Sequence, residues 1–503
     1  MFDVAIVGAG SAGCVLANRL SAASSRKVVL IEAGPPKHAS LLVRAPLLYQ
    51  KLWYGKLCWN YRTVPQAHVD QREMYWPRGK VIGGSNSFNA MIYMRGHRDN
   101  YDEWRDLGNP GWSYADVLPF FKRAEDNQRG ASEFHGAGGP LAVDDTRDPL
   151  PVSRAFVDAT AAHCGVPVTD DFNGATQEGV GFPQVTIRGG LRASTATGYL
   201  DPIRDRANLT VIANALACSL VLDGTRCTGG VLRGGTTEQT IEAREVIECG
   251  GAIGSRHELA GVGKHLEDHL LVYPVWRTKP GANQALSRLG MIGSVLKHLV
   301  TRRGDLTRGP IEAVAFVKHG EVPRPDNQIH FAPWGFTGPN SDEKRGDPLG
   351  RFAAIMPGLI YPRSHGELTL AIADPAAAPR IDPRYFSDAA DLEHMVAGVK
   401  LAREIAATEP LASSLDGEHF PGPATETDDQ LRAWIRSSVN TIFHPTGTCK
   451  MGTDPAAVVD PELRVHGLEG LRVADASVMP RIIGGNTNAP TIMIAERCAD
   501  FVG

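Results

Sequence analysis

The chain has 503 residues, 43% hydrophobic and 21% charged, with a formal net charge of −4. Those values describe a soluble globular protein long enough for two joined domains, and they leave no basic footprint for nucleic acid or anionic lipid. No apolar run approaches the roughly 20 residues of a membrane span.

The chain opens directly on a strand pattern, with no basic segment leading into an apolar leader, which predicts a cytoplasmic location. The eight cysteines (14, 58, 164, 218, 227, 249, 449 and 498) form no C-x-x-C pair. They predict reduced, buried thiols rather than a disulfide framework.

The first informative stretch is "DVAIVGAGSAGCVLANRL" (3–20), a short apolar strand, a G-x-G-x-x-G turn and a helical pattern. Gly8 permits the tight turn, Gly10 lets a pyrophosphate approach the main chain, and Gly13 lets the helix pack close to the strand. Ser11 and Ala12 open the helix, whose N-terminus then faces the phosphates. "KVVLIEAG" (27–34) is a second strand ending in Glu32, nineteen residues past Gly13, with Ala33 beside it. A carboxylate there accepts from a ribose 2′-hydroxyl, which selects NAD or FAD over NADP without separating the two.

"YWPRGKVIGGSNSFNAMIYMRGHRDNYDEW" (75–104) holds a second Gly-rich run. Gly83, Gly84 and Ser85, with Arg78 before them and Asn89, Ala90 and Met91 after, are candidates for a second part of the cofactor. The alternative is an ordinary Gly-rich loop. "GASEFHGAGGP" (130–140) and "GPNSDEKRGDPLG" (338–350) read as surface loops.

"NLTVIANALACSLV" (208–221) and "REVIECGGAIGS" (244–255) read as strands, the second ending in another Gly-rich turn. "KHLEDHL" (264–270) places His265, Asp268 and His269 at i, i+3 and i+4, one face if helical. No third ligand with recognisable metal spacing accompanies them, so no metal is expected. "IEAVAFVKHG", "DNQIHFAPWGF" and "RFAAIMPGLIYPRSHGELTLAI" (within 311–372) alternate or run apolar, as strands of a largely antiparallel sheet do. Phe331, Trp334, Phe336, Met356 and Tyr361 either wall an apolar pocket or pack the sheet. Helical patterns follow at 391–407 and 428–438.

Near the end come "HPTGTCKMG" (444–452), the strand of "GLRVADASV" with Asp475 and Ala476, and "NTNAP" (486–490) opening a C-terminal amphipathic helix. Taken alone, His444 is a core histidine, a metal ligand or a base. Cys449, with no basic neighbour in sequence, is packing rather than a nucleophile.

With these blocks together the chain resembles the glucose–methanol–choline (GMC) oxidoreductases, FAD-dependent alcohol oxidases and dehydrogenases. Within them it is most similar to the bacterial branch of choline dehydrogenase, alcohol dehydrogenases and hydroxymethylfurfural oxidase. The likeness covers nearly the whole length and is densest at 3–34, 75–127, 244–271 and 440–502.

The resemblance implies an α/β fold: a doubly wound FAD domain over 1–145, 195–270 and 440–503, and a substrate domain over 146–194 and 271–439 built on a largely antiparallel sheet with flanking helices. It implies that Gly8, Gly10 and Gly13 hold the FAD pyrophosphate, Glu32 the adenosine ribose and Ala217 the adenine pocket. Gly83 to Asn89 would lie along the flavin end, with Asp475, Ala476, Asn488, Pro490 and Thr491 as further contacts. Relatives that tether FAD use a His where this chain has Phe88, so a non-covalent flavin is expected.

The resemblance further implies that His444 takes the hydroxyl proton of an alcohol, a task suited to an imidazole. Asn488, 44 residues on, would donate to the alkoxide oxygen. The expected reaction is oxidation of a primary alcohol, aromatic or aliphatic, to its aldehyde, with O2 or a quinone or other acceptor reoxidising the flavin. A quinone acceptor would place the protein peripherally at the inner membrane. A hydroxynitrile lyase-type FAD protein and an FAD binder without turnover are the alternatives. One departure stands out: the family pattern carries roughly twenty more residues after "GAIGS", which points to a deletion after Ser255.

Overall fold

The computed structural model describes residues 1–255, 261–283, 297, 300–302, 304–335 and 351–503. Two large sheets organise it. The first has seven strands. Its parallel part runs Leu209–Ala213, Val28–Glu32, Phe2–Val7, Thr237–Glu248 and Leu471–Val473. The strand VVLIE of Val28–Glu32 is buried at every position, as an apolar run covered on both faces must be.

Thr237–Glu248 does two jobs. Its C-terminal half pairs in parallel with Phe2–Val7, while its N-terminal half pairs antiparallel with Arg226–Gly234, which pairs in turn with Leu216–Asp223. The doubly wound core thereby continues into an antiparallel meander.

Helix Ser11–Leu20 returns the chain from the first strand to the second. Its closeness to the sheet depends on Gly13, where a Cβ would stand 1.9 Å from the Gly8 carbonyl oxygen. The C-terminal helix Asn488–Val502 packs against it. Arg19 and Arg123 both reach Glu496, a fully buried carboxylate, and Tyr199 donates to it at 2.7 Å. These bonds tie the middle of the last helix to the end of the first.

Among the described residues the second sheet has eight strands, paired antiparallel throughout. Its centre is Ala313–Val317, Asn327–Ala332 and Phe352–Leu359, each buried at nearly all positions. Helix Ala389–Ala406 packs on it. The boundaries expected at 270 and 440 fall within two short strands of this sheet, Leu270–Leu271 and Asn440–Thr441, which pair with each other. The eight cysteines are free thiols, and among the described residues no helix is long and apolar enough to cross a membrane.

Candidate active site

The carboxyl ends of the parallel strands open onto one long cavity. Gly8 follows the first strand, Glu32 ends the second, Ala215 and Ala217 follow Leu209–Ala213, Cys249 follows Thr237–Glu248, and Asp475 follows Leu471–Val473; all line it. In open α/β sheets ligands bind there, where helix N-termini and turn amides point outward.

The first turn is shaped for a close approach. Gly8 has φ of +102°, and a Cβ there would meet the Cys249 carbonyl oxygen at 2.5 Å. A Cβ on Gly10 would meet nothing nearer than 4.0 Å and would instead fill the cavity. No side chain caps the helix that begins at Ser11, so its first amides remain available to an anion. Glu32 is buried; Oε2 accepts from Ala9 N–H at 3.0 Å and Oε1 from Gly34 N–H at 2.8 Å. Burial pushes its carboxyl up to about 7 against those two hydrogen bonds.

The second Gly-rich run lies against the first, with Gly83 N–H donating to the Ala9 carbonyl at 2.7 Å and Gly84 facing Gly10. Arg78 lines the cavity with Nη2 donating to the Phe443 carbonyl, and its buried Nε has no partner. The chemistry of this donor set fits a dinucleotide: open helix amides for a pyrophosphate, and a carboxylate for ribose hydroxyls. The N-terminus of Asn488–Val502, likewise without a side-chain cap, points at the other end of the cavity.

At that end stands His444. Its backbone N–H donates to Asp268 Oδ1 at 2.7 Å; Asp268 also accepts from Tyr385 at 2.6 Å and from Thr441. This buried carboxylate, pushed up to about 6 by desolvation, pins the loop that carries the imidazole. Phe443, just before it, has φ of +66°, a left-handed conformation costing roughly 1–2 kcal/mol for a side chain of this size. The strain turns the Phe443 carbonyl to Arg78 and its ring into the cavity.

The His444 ring makes two contacts. Nδ1 lies 3.0 Å from His269 Nδ1, and Nε2 lies 3.4 Å from Asn486 Nδ2. The Asn486 amide is oriented, because its Oδ1 accepts from Gln328 at 3.2 Å; its NH2 therefore faces His444. An NH2 group can only donate, which suits an unprotonated Nε2, but at 3.4 Å it does not fix which nitrogen of the ring is protonated. Burial, then His269, Arg78 and His330 nearby, hold His444 well below the usual imidazole range. His269 is pushed down to about 3 and His330 to about 4, both chiefly by burial.

Several sequence expectations are corrected here. Asn488 lines the same cavity as His444, and its Oδ1 accepts from the Ser11 hydroxyl at 2.8 Å, at the join of the last helix with the first. Gly13, Gly83 and Pro490 stand behind the lining and shape it, while Ser11, Ala12, Ala33, Ser85, Asn89, Ala90, Met91, Ala476 and Thr491 are on it. Residues 265–269 are not helical; they form a turn and an extended segment, so His265, Asp268 and His269 do not share a helical face, and His265 hydrogen-bonds the Pro480 carbonyl at 3.1 Å.

Of the four suggested pocket residues that are described, Met356 alone is on the lining. Phe331 stacks on Phe156 within a separate core cluster, Tyr361 bonds Asn100, and Trp334 packs outside the lining. Phe336 lies outside the described residues. Cys449 is fully buried packing, its thiol pushed up by desolvation.

Tyr49, Trp53, Phe443 and Tyr273 instead provide the aromatic lining. The rings of Tyr49 and Trp53 stand 5.5 Å apart, and those of Trp53 and Phe443 6.1 Å, edge to face. No motif marked Tyr49 or Trp53 in sequence. His269 and Asn486 were within quoted motifs, but their facing His444 depends on the fold.

Two family models, both described as GMC oxidoreductase, match residues 2–297 and 362–495. The chain is 40% identical to the alcohol dehydrogenase [acceptor] of Pseudomonas putida, covering all of this chain and 96% of that one. It is 38% identical to human mitochondrial choline dehydrogenase, covering all of this chain and 89% of that one. The first alignment runs over 534 positions against 503 residues here, so this chain is the shorter within it; residues 256–260, next to the deletion expected after Ser255, lie outside the described set. Among solved structures, the pyridoxine 4-oxidase of Mesorbium loti superposes with a TM-score of 0.90 at 29% identity, covering 99% of each chain. A crystallised formate oxidase does so with a TM-score of 0.90 at 25% identity, covering 100% of this chain and 98% of that one. The chain belongs to the GMC oxidoreductases, and its cofactor is FAD.

Proposed function

We propose that this protein oxidises a neutral primary alcohol with a largely apolar body to the aldehyde, with His444 as the proton acceptor. The observation that carries the reading is the placement of His444: its ring lines the cavity with Nε2 beside the Asn486 amide. Bound FAD would supply a hydride acceptor for the carbinol carbon. The protein's task is the hydroxyl proton and the charge left behind.

A ring kept neutral by burial is ready to accept that proton at working pH. The Asn486 amide donates to the oxygen as it becomes alkoxide-like, and an amide cannot compete for the proton. His269 Nδ1, 3.0 Å from His444 Nδ1, holds the ring's direction. Asn488, Thr491 and the N-terminus of the last helix serve the flavin end, with Arg78, Ser85, Asn89, Ala90 and Met91. Glu32 and the first turn serve the adenosine and pyrophosphate, held without a covalent tether.

The substrate class follows from charge. Glu32 and Asp475 are the only carboxylates among the described lining residues. Both belong to the strand ends of the first sheet and accept backbone N–H groups. The aromatic and aliphatic wall near His444 therefore offers no carboxylate to a cationic alcohol such as choline. It offers apolar contact to a neutral one.

Anaerobic mixing of the FAD-loaded protein with benzylic alcohols, aliphatic primary alcohols and choline tests the reading. Bleaching of the flavin band by the neutral alcohols is expected, with His444→Ala keeping FAD but reducing it at least ~100-fold more slowly. Bleaching by choline in preference, or an unimpaired His444→Ala, would overturn it. Adding O2 or a quinone to the bleached enzyme then identifies the acceptor.

A further inference from the structure

Away from the cavity, a second histidine cluster has a geometry that hydrogen bonding does not explain. His319 lies just past strand Ala313–Val317, and Asp326 just before strand Asn327–Ala332. The two strands pair antiparallel with Val317 opposite Asn327, which brings both ends of the connecting loop together. His394 comes from helix Ala389–Ala406, on the same sheet. The three side chains are each less than a fifth exposed.

Asp326 accepts the His319 backbone N–H at 2.8 Å, which holds the carboxylate in place. Its two oxygens then face two imidazoles: Oδ1 is 3.9 Å from His319 Nδ1, and Oδ2 is 3.7 Å from His394 Nδ1. Those separations are too long for hydrogen bonds. They are a few tenths of an ångström wider than the roughly 3.3–3.6 Å between two ligands each about 2.0–2.2 Å from a tetrahedral zinc-sized cation, a gap that small side-chain movements close. One candidate ligand atom from each residue can be chosen so that all lie within 4.8 Å of one another.

His319 Nδ1 and His394 Nε2 are buried without a hydrogen-bond partner. Asn327 Nδ2 stands 3.4 Å from His319 Nε2, too far to fix which nitrogen of that ring is protonated.

Charge separates this cluster from the other histidine–carboxylate group, His265, Glu267 and His365. There Arg481 sits inside, its Nη1 2.9 Å from Glu267 and 3.0 Å from His365. A cation is already supplied. At Asp326 no lysine or arginine is among the groups that act on it or on either ring.

We propose that His319, Asp326 and His394 bind one divalent transition-metal ion of zinc type, clasping the loop between two central strands to the helix behind them. Two imidazole nitrogens favour zinc over magnesium or calcium, which prefer oxygen donors. Three protein ligands leave a position for water.

The test uses tag-free, FAD-loaded protein, stripped with a chelator, dialysed against zinc chloride and then against metal-free buffer. Elemental analysis should find one zinc per chain in the wild type and none in Asp326→Asn or His394→Gln, and zinc should raise the melting temperature of the wild type alone. Retained flavin absorbance and circular dichroism show that each variant is folded. Wild-type protein that retains no zinc overturns the proposal without any variant. Zinc retained by both variants, or lost from Glu267→Gln instead, overturns it too.

Discussion

The Asn486 amide nitrogen stands 3.4 Å from His444 Nε2, while two residues on the Asn488 amide accepts from Ser11 at 2.8 Å. Two asparagines of one short motif thus have different partners on the same cavity. Asn486→Ala should slow anaerobic flavin reduction by about 10²–10³-fold, as loss of a donor to a developing oxyanion does, while leaving the flavin bound. Asn488→Ala should instead weaken FAD retention. Stopped-flow reduction and flavin titration of both variants separate the roles, and the reverse pattern would return the oxyanion role to Asn488.

Protonation of His444 supplies a second expectation. The base acts only when neutral, and its environment lowers its pKa from 6.5. The acid limb of kcat/KM should therefore lie below the usual imidazole range, with full activity persisting into mildly acidic solution. Stability runs the same way. His269, His330 and His444 titrate lower in the folded protein than unfolded, so the unfolded chain binds more protons once pH falls below about 6.5. Each ring then costs up to ~1.4 kcal/mol per pH unit. Acid unfolding should be steep, and His330→Gln should flatten it, as read by melting temperature against pH.

How much of this was legible from sequence depends on the distance over which each feature is set. The turn Gly8 to Gly13 and the acid Glu32 are local: spacing along the chain determines how strand, turn and helix meet. The doubly wound core and the antiparallel second sheet were readable for the same reason. His444 was readable as a candidate. Its partner was not, because Asn486 and Asn488 lie on either side of the helix start, and which of them faces His444 depends on Gln328, more than 150 residues away. The aromatic wall was misplaced for a related reason. Alternation marks Phe331 as buried but does not say on which face of the sheet, and its ring turns to Phe156. "KHLEDHL" matched a helical spacing, yet backbone pairing with Gly366 and Thr446 holds Leu266 and Glu267 extended.

The flavin itself should be dissociable. Phe88, buried against the cavity just before Asn89, offers no nucleophile where tethered relatives place a histidine. Acid-precipitated protein passed through an ultrafilter should leave a yellow filtrate and a colourless pellet. Colour retained in the pellet would mean that another lining side chain forms the bond.

Glu32 links cofactor binding to pH. Its carboxyl titrates at about 7 because burial opposes ionisation more than the Ala9 and Gly34 amides favour it. Ribose hydroxyls donate, so they bind the ionised form. Below pH 7 a proton must leave before FAD is held, and each further unit should weaken binding up to about tenfold; above pH 7 affinity should level off. The apoprotein shows the opposite sign. Its folded pKa lies above the unfolded value of 4.5, so it binds more protons folded than unfolded between those limits, and Glu32 destabilises it as pH rises toward 7. FAD titrated into apoprotein by flavin fluorescence across neutral pH should show the slope in the wild type. Glu32→Gln should bind FAD more weakly and with no slope; an equal slope in that variant would assign the linkage to another group.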